Sequence, residues 1–196
     1  MNFLYLTLII APFFSTASGT AYRGPVDPEN KDNAPTSFVS SVPVATDKYV
    51  VDKVESVVKW KCAMVFAEKG GHYGYVSLSK GELMIEKGQL VGGKVEVDMN
   101  TIADELHNSH NNLIDHLKEP DFFDVKKFPI STFAITKVTL ADADTMNVTG
   151  QLTIKGITHE ITFPPKVEVK RKVINASVKV IVDRTQWDVR YRSGKF

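Results

Sequence analysis

From Tyr49 onward, apolar and polar residues alternate with a period of two through segment after segment, the mark of strands with one wet face. Between Ser56 and Phe66 the even positions Val58, Trp60, Cys62, Met64 and Phe66 are apolar, with Lys59 and Lys61 opposite. Further strands are predicted over 72–78, after a Gly70-Gly71 turn, and over 81–86 and 90–99. In the last of these Val91, Val95, Val97 and Met99 oppose Lys94, Glu96 and Asp98. Strands over 130–140 and 146–154 flank a turn at 142–144, and strands over 158–169 and 173–183 complete the set. Only 104–118 reads as helical, with Leu106, Leu113, Ile114 and Leu117 spaced near 3.6. Many short strands with one helical insertion predict an antiparallel barrel or sandwich.

The two ends of the chain read differently. Phe3 to Phe14 is an apolar run followed by small residues, too short to span a bilayer comfortably and suited to an export leader cleaved after Gly19 or Ala21. Residues 22–48 carry Pro25, Pro28, Pro35 and Pro43 among polar residues, which cannot bury enough apolar surface to offset ordering entropy. The expected organisation is a leader at 1–21, a tether at 22–48 and a folded domain at 49–196, with no transmembrane span in the mature chain. A closed barrel needs its last strand to meet its first. The chain stops at Phe196, so either 188–196 supplies that contact or the barrel stays incompletely closed.

Charge narrows the partners. Lys and Arg number 24 and Asp and Glu 23, a net charge of +1, which leaves no basic surplus for nucleic acid. The single cysteine, Cys62, cannot form an internal disulfide, and it shares a face with Trp60 and Met64 as a small core hydrophobe would.

Catalytic and metal signals are weak. His107, His110 and His116 fall within ten residues, and His107 with His110 could hold zinc beside Asp104 or Asp115. His116 lies off that helical face, and no His-x-x-x-His pattern reinforces the set, so solvated histidines and no metal are expected. Ser109, His110 and Asp115 make a triad only on paper, because no Gly-x-Ser-x-Gly elbow surrounds any serine. The expectation is a protein without catalytic residues.

The aromatic residues leave two readings open. Trp60, Phe66, Tyr75, Phe122, Phe123, Phe128, Phe133 and Phe163 are more side-chain volume than a small barrel needs to fill its centre. They are either packed core or, with Met64, Leu152 and a helix offering Leu113 and Leu117 as a lid, the wall of an apolar cavity.

Two motifs carry a resemblance. HLKEPDFFDVKKFPISTF, from His116, and NVTGQLTIKGITHEITFP, from Asn147, resemble the signature of the YceI-like family of exported, lipocalin-like proteins described as polyisoprenoid-binding. GGHYGYVSLSKGEL, GGKVEVDMNTI and DRTQWDVRYRSG match further pieces in order, so the resemblance covers about Tyr49 to Gly194. It implies a mainly β fold, an eight-stranded antiparallel lipocalin-like barrel with the helical insertion at 104–118. It also implies an elongated pocket for an isoprenoid or other lipid, no cofactor, and a periplasmic location if the source is Gram-negative and a secreted one otherwise. Head-group candidates at the pocket mouth are His72, His116, Lys118 and Arg184. The motif residues Asp121, Pro129, Lys155 and Asp183 are also singled out. A homodimer is compatible with this reading. The rivals are a lipid-modifying enzyme using the 107–116 histidines and a packed structural or partner-binding module.

Overall fold

Two lysine-glycine pairs set the frame of the sheet. Lys87 and Gly88 have φ of 50° and 79°, and Lys155 and Gly156 have φ of 51° and 73°. Positive φ at both central residues defines the two-residue hairpin turn whose twist matches that of the strands it joins. At Gly156 space matters as well, since a Cβ there would lie 2.7 Å from the Phe128 ring.

The structure is a computed structural model and describes residues 3–10, 14–15, 46–63, 71–106, 109–141, 145–170 and 173–191. Its strands are β1 (Phe3–Ile10), β2 (Phe14–Ser15), β3 (Thr46–Val50), β4 (Val57–Ala63), β5 (Gly71–Glu86), β6 (Gln89–Asp104), β7 (Ile130–Leu140), β8 (Met146–Ile154), β9 (Ile157–Phe163), β10 (Lys166–Lys170) and β11 (Val173–Asp183). Helix α1 (Asn112–Lys118) follows β6, and one 3-10 turn (Arg184–Trp187) follows β11. Every ladder is antiparallel, in the order β10-β11-β1-β4-β5-β6-β7-β8-β9, with β3 and β2 branching from β5. The mainly β, antiparallel architecture with a single helix is the one expected.

Three details depart from the sequence reading, each for a physical reason. The two strands predicted at 72–78 and 81–86 are one strand, β5, whose register against β6 shifts between Leu78 and Lys80. Gly74, Val76 and Leu78 are buried before the shift, and Leu83 and Ile85 after it. A bulge therefore changes the inward parity and makes one strand look like two. The segment at 158–169 is two strands, β9 and β10, because Pro164-Pro165 offers no amide hydrogen to a ladder. The helix begins at Asn112 instead of 104, because the Asn111 side chain accepts the amide of Ile114 at 2.9 Å and caps it there.

The sheet bends round until β9 lies against β11, enclosing one core. The core includes Ile114, Val148, Ile174 and Trp187, all at most 1% exposed. Among the described residues no ladder joins β9 to β10 or β11. That seam is laced at one end by side chains instead. Trp187 Nε1 donates to the Leu152 carbonyl at 3.0 Å, and His159 Nε2 lies 2.9 Å from the Gln186 carbonyl.

Strand β1 comes from the apolar run read as a leader. It pairs with β11 from Phe3↔Asp183 to Ile10↔Ala176 and with β4 from Leu4↔Cys62 to Ile9↔Val57. In the full chain this segment is the only backbone link between β4 and β11 among the described residues.

Candidate functional site

The inward faces of the strands leave two apolar chambers. The first, about 90 Å³, lies under α1 and is lined by Val58, Trp60, Val76, Val97, Met99, Ile102, Leu117, Phe122, Phe123, Ser131, Leu152, Ile154 and Arg184. The second, about 50 Å³, is lined by Leu83, Leu90, Lys94, Val95, Phe133, Ile135, Val148, Phe163, Pro165, Val167, Ala176, Ser177 and Val178. They follow one another along the interior, since Val97 of β6 lines one and Val95 the other. Phe133 lines the second chamber and is the register partner of Val95 in that chamber and of Leu152 in the first; its ring lies over Gly150, where a Cβ would approach to 2.4 Å. Phe163 packs against it with ring centroids 5.3 Å apart.

One end of the interior is plugged by three segments brought together from distant parts of the chain. The first is the loop from His116 to Phe128, the second the 155–156 hairpin turn, and the third the 184–191 segment. Lys155 Nζ donates to the carbonyls of Pro120 at 2.8 Å and Asp188 at 3.2 Å, tying all three. Arg184, 7% exposed, donates to the carbonyls of Val189 at 2.7 Å and Tyr191 at 2.8 Å, and its guanidinium sits 5.5 Å from the Phe122 ring centroid. His116 Nε2 is 2.9 Å from Asp121 Oδ2, while its ring meets Phe122 at 5.1 Å and Tyr191 at 4.3 Å, both edge-on. Asp183 accepts from the amide of Thr185 at 3.0 Å and starts the 3-10 turn. These bonds make the plug a hydrogen-bonded and aromatic cluster.

The residues singled out from the sequence separate accordingly. Trp60, Leu117, Phe122, Phe123 and Leu152 line the first chamber, and Phe133 and Phe163 the second. Tyr75 lines neither. On β5 the neighbouring positions 74 and 76 point inward, so Tyr75 takes the outer face, with Lys59 Nζ 5.6 Å from its ring centroid. Phe128 packs on the Lys155-Gly156 turn, outside both chambers. Met64, Phe66 and His107 lie outside the described residues.

Of the head-group candidates, His116 and Arg184 are built into the plug. Lys118 Nζ donates to the Ser109 carbonyl at 3.0 Å. His72 is exposed on a separate, open hollow of about 510 Å³ beside α1, which Leu113 also lines. That hollow is larger than either chamber but partly polar and open to solvent: Asp104 accepts from Asn111 Nδ2 at 2.7 Å, and the Tyr73 hydroxyl is held above its ordinary pKa by its hydrogen bond to Glu105. It offers an apolar chain little. His110 is exposed and lies 3.7 Å from Asp115. Among the described residues no three His, Cys, Asp or Glu side chains cluster as metal ligands would.

Sequence reasoning missed the aliphatic liners Val58, Val76, Val97, Met99, Ile102 and Ile154, which on alternating strands are indistinguishable from core. It also missed Trp187, whose indole laces the seam. Its only signal was a place in the DRTQWDVRY segment, where no period shows it pointing inward.

An antiparallel sheet wrapped round an apolar interior, with a helix and an aromatic loop over one end, defines a lipocalin-like fold. The YceI-like domain matches residues 49–196, and the chain belongs to this family. A UPF0312 protein of Pseudomonas putida (strain W619) is 29% identical over 136 residues, 65% of this chain and 66% of the relative. The YceI protein of Escherichia coli O6:H1 is 30% identical over 95 residues, 48% of each chain. The matches thus span between about half and two thirds of the length of these relatives. Among solved structures, BcnA of Burkholderia cenocepacia superposes with a TM-score of 0.51 at 16% identity, over 67% of this chain and 98% of BcnA, a likeness of fold.

Proposed function

We propose that this domain is a non-catalytic binder and carrier of a long apolar chain, an isoprenoid or other lipid tail, held inside the wrapped sheet. The observation that carries this reading is the pair of apolar chambers inside the sheet, with Phe133 on the wall of the second and paired in register with Leu152 of the first. At about 90 and 50 Å³ they hold only a few methylenes as they stand. Ligand sites for whole molecules are larger, about 300–1,000 Å³. A long tail therefore enters by moving Phe133 aside, which joins the chambers into one channel, and by displacing Phe122 at the plugged end. The gain is desolvation: each buried methylene contributes about 0.8 kcal/mol, so one prenyl unit gives roughly 3–4 kcal/mol before ordering costs. Such a site selects tail length and girth.

The reading includes export. The apolar run at 3–14 suits a leader, and the organisms of the relatives, Pseudomonas putida and Escherichia coli, are Gram-negative, which supports a periplasmic carrier. No helix among the described residues is long and apolar enough to cross a membrane. Cleavage after Gly19 or Ala21 would withdraw β1 from between β4 and β11, so export and strand-filling draw on the same residues.

Titration of the full chain with a fluorescent long-chain probe tests the binding reading. Phe122→Asp and Phe133→Asp each set a carboxylate in an apolar wall and are expected to weaken binding by about tenfold or more, whereas His107→Ala leaves it unchanged. Equal affinity in all three variants would count against the cavity.

A further inference from the structure

We infer that the indole N–H of Trp60 is a recognition point inside the first chamber, and that the preferred ligand presents a hydrogen-bond-accepting oxygen to it. The ligand class is an apolar chain bearing a hydroxyl or carboxylate oxygen, as opposed to a chain that is hydrocarbon throughout its buried length. This rests on the reading that the chamber takes an apolar chain, and specifies which kind.

The chain has two tryptophans, and the structure treats them differently. Trp187 is 1% exposed and its Nε1 is satisfied by the Leu152 carbonyl. Trp60 is 5% exposed, and among the described residues no acceptor reaches its Nε1 in hydrogen-bonding geometry. Buried tryptophan N–H groups normally find a partner, because a buried donor left without one loses its hydration uncompensated. A phenylalanine at position 60 would supply most of the apolar surface without that cost.

The ring's position is fixed by its neighbour. Trp60 pairs in register with Gly74, and a Cβ at 74 would lie 2.6 Å from ring atom Cζ2 and 2.8 Å from Cε2, the carbon that bears Nε1. Glycine therefore lets the indole lie flat over β5, with its ring forming part of the chamber wall. The charged residue on the same wall is Arg184, a guanidinium. Indole and guanidinium both carry donors only, so neither can satisfy the other, and the guanidinium is already engaged by the Val189 and Tyr191 carbonyls. Ser131 is the other polar residue on that wall, and the unpartnered indole N–H is complementary to an oxygen that accepts, neutral or anionic.

The test uses the full chain labelled with 15N, whose two indole resonances are assigned with Trp60→Phe and Trp187→Phe. Three probes of matched length are titrated: 1-octanol, octanoate and 1-chlorooctane, the last offering no oxygen. The expected result is that an oxygen-bearing probe moves the Trp60 indole proton downfield and binds about tenfold tighter than 1-chlorooctane. Trp60→Phe then loses that preference while still binding 1-chlorooctane. Hydroxyl and carboxylate sources are told apart by which of the two oxygen-bearing probes shows the effect. Binding of all three probes with the Trp60 resonance unmoved, or a preference that survives in Trp60→Phe, overturns the inference while leaving the apolar cavity intact. Binding of none by folded protein overturns the cavity reading, and this inference with it. The wild-type resonance decides the matter even if the Trp60 variant is poorly folded.

Discussion

Trp187→Ala is expected to destabilise the protein by about 3–5 kcal/mol, the largest effect of any single substitution considered. The side chain is 1% exposed, so truncation opens a cavity where β8, β9 and the 184–191 segment meet. It also removes the donor to the Leu152 carbonyl, and an acceptor on the core side of β8 is left without that bond. The consequence reaches further than one contact, because the seam between β9 and β11 has no ladder among the described residues. Trp187, His159 and Lys155 are the ties across that end. Trp187→Phe keeps most of the apolar volume and loses only the hydrogen bond, so its cost should be about 1–2 kcal/mol. Urea denaturation of the two variants separates the packing share from the hydrogen-bond share. Near-equal midpoints for Trp187→Ala and wild type would show that the seam is held elsewhere.

Removal of residues 1–10 is expected to have a still broader effect. Strand β1 is paired on both sides, to β11 and to β4, and its loss leaves two facing strand edges unpaired. Open edges of that length are templates for pairing with another chain. The expected cost is several kcal/mol out of the about 5–15 kcal/mol of a typical domain, so the shortened chain, which is what export would leave, is destabilised but still folds. Thermal melts and size-exclusion chromatography of the full and shortened chains should show a lower transition and self-association in the shortened one. An unchanged transition with a monomeric profile would mean that β4 and β11 find each other directly. The result bears on export as well, since a chain that loses its leader must fill the β4/β11 slot with another strand or close it.

Much of this architecture is legible in the alternation of the chain. Strands β4, β8 and β11 follow the period of two, and the wall residues Trp60, Leu152 and Phe133 were identifiable because large aromatic or aliphatic groups recur on one parity. The reading failed where local geometry interrupts the period. The bulge near Lys80 reverses the inward parity of β5, so a strict count divides one strand in two. The size of Tyr75 suggests a place in the cavity wall, yet its parity puts it outside with Lys59. The Asn111 cap outweighs the helical spacing of Leu106, which is 75% exposed in the turn before the helix. The plug was harder still. Arg184 and His116 carry charge and were assigned to a ligand head group, but tertiary approach gives them carbonyls, a carboxylate and aromatic rings within the chain. No sequence spacing announces a contact between residues 116 and 191.

The same geometry divides the work between the two ends. The plugged end spends its polar groups on one another, which fixes the aromatic loop above the first chamber. The chambers below it are lined mostly by apolar side chains, Trp60 among those of the first. On the proposed reading a ligand would be selected by what it buries, and Phe133 would set how far along the interior it can reach.

Mass spectrometry of an organic extract from the full-length protein, purified without detergent and confirmed folded by circular dichroism, tests the central claim most directly. The account predicts a long-chain lipid recovered at near one molecule per chain, and its depletion from Phe133→Asp. Folded wild-type protein that yields no stoichiometric lipid, and takes none up when offered, would contradict it.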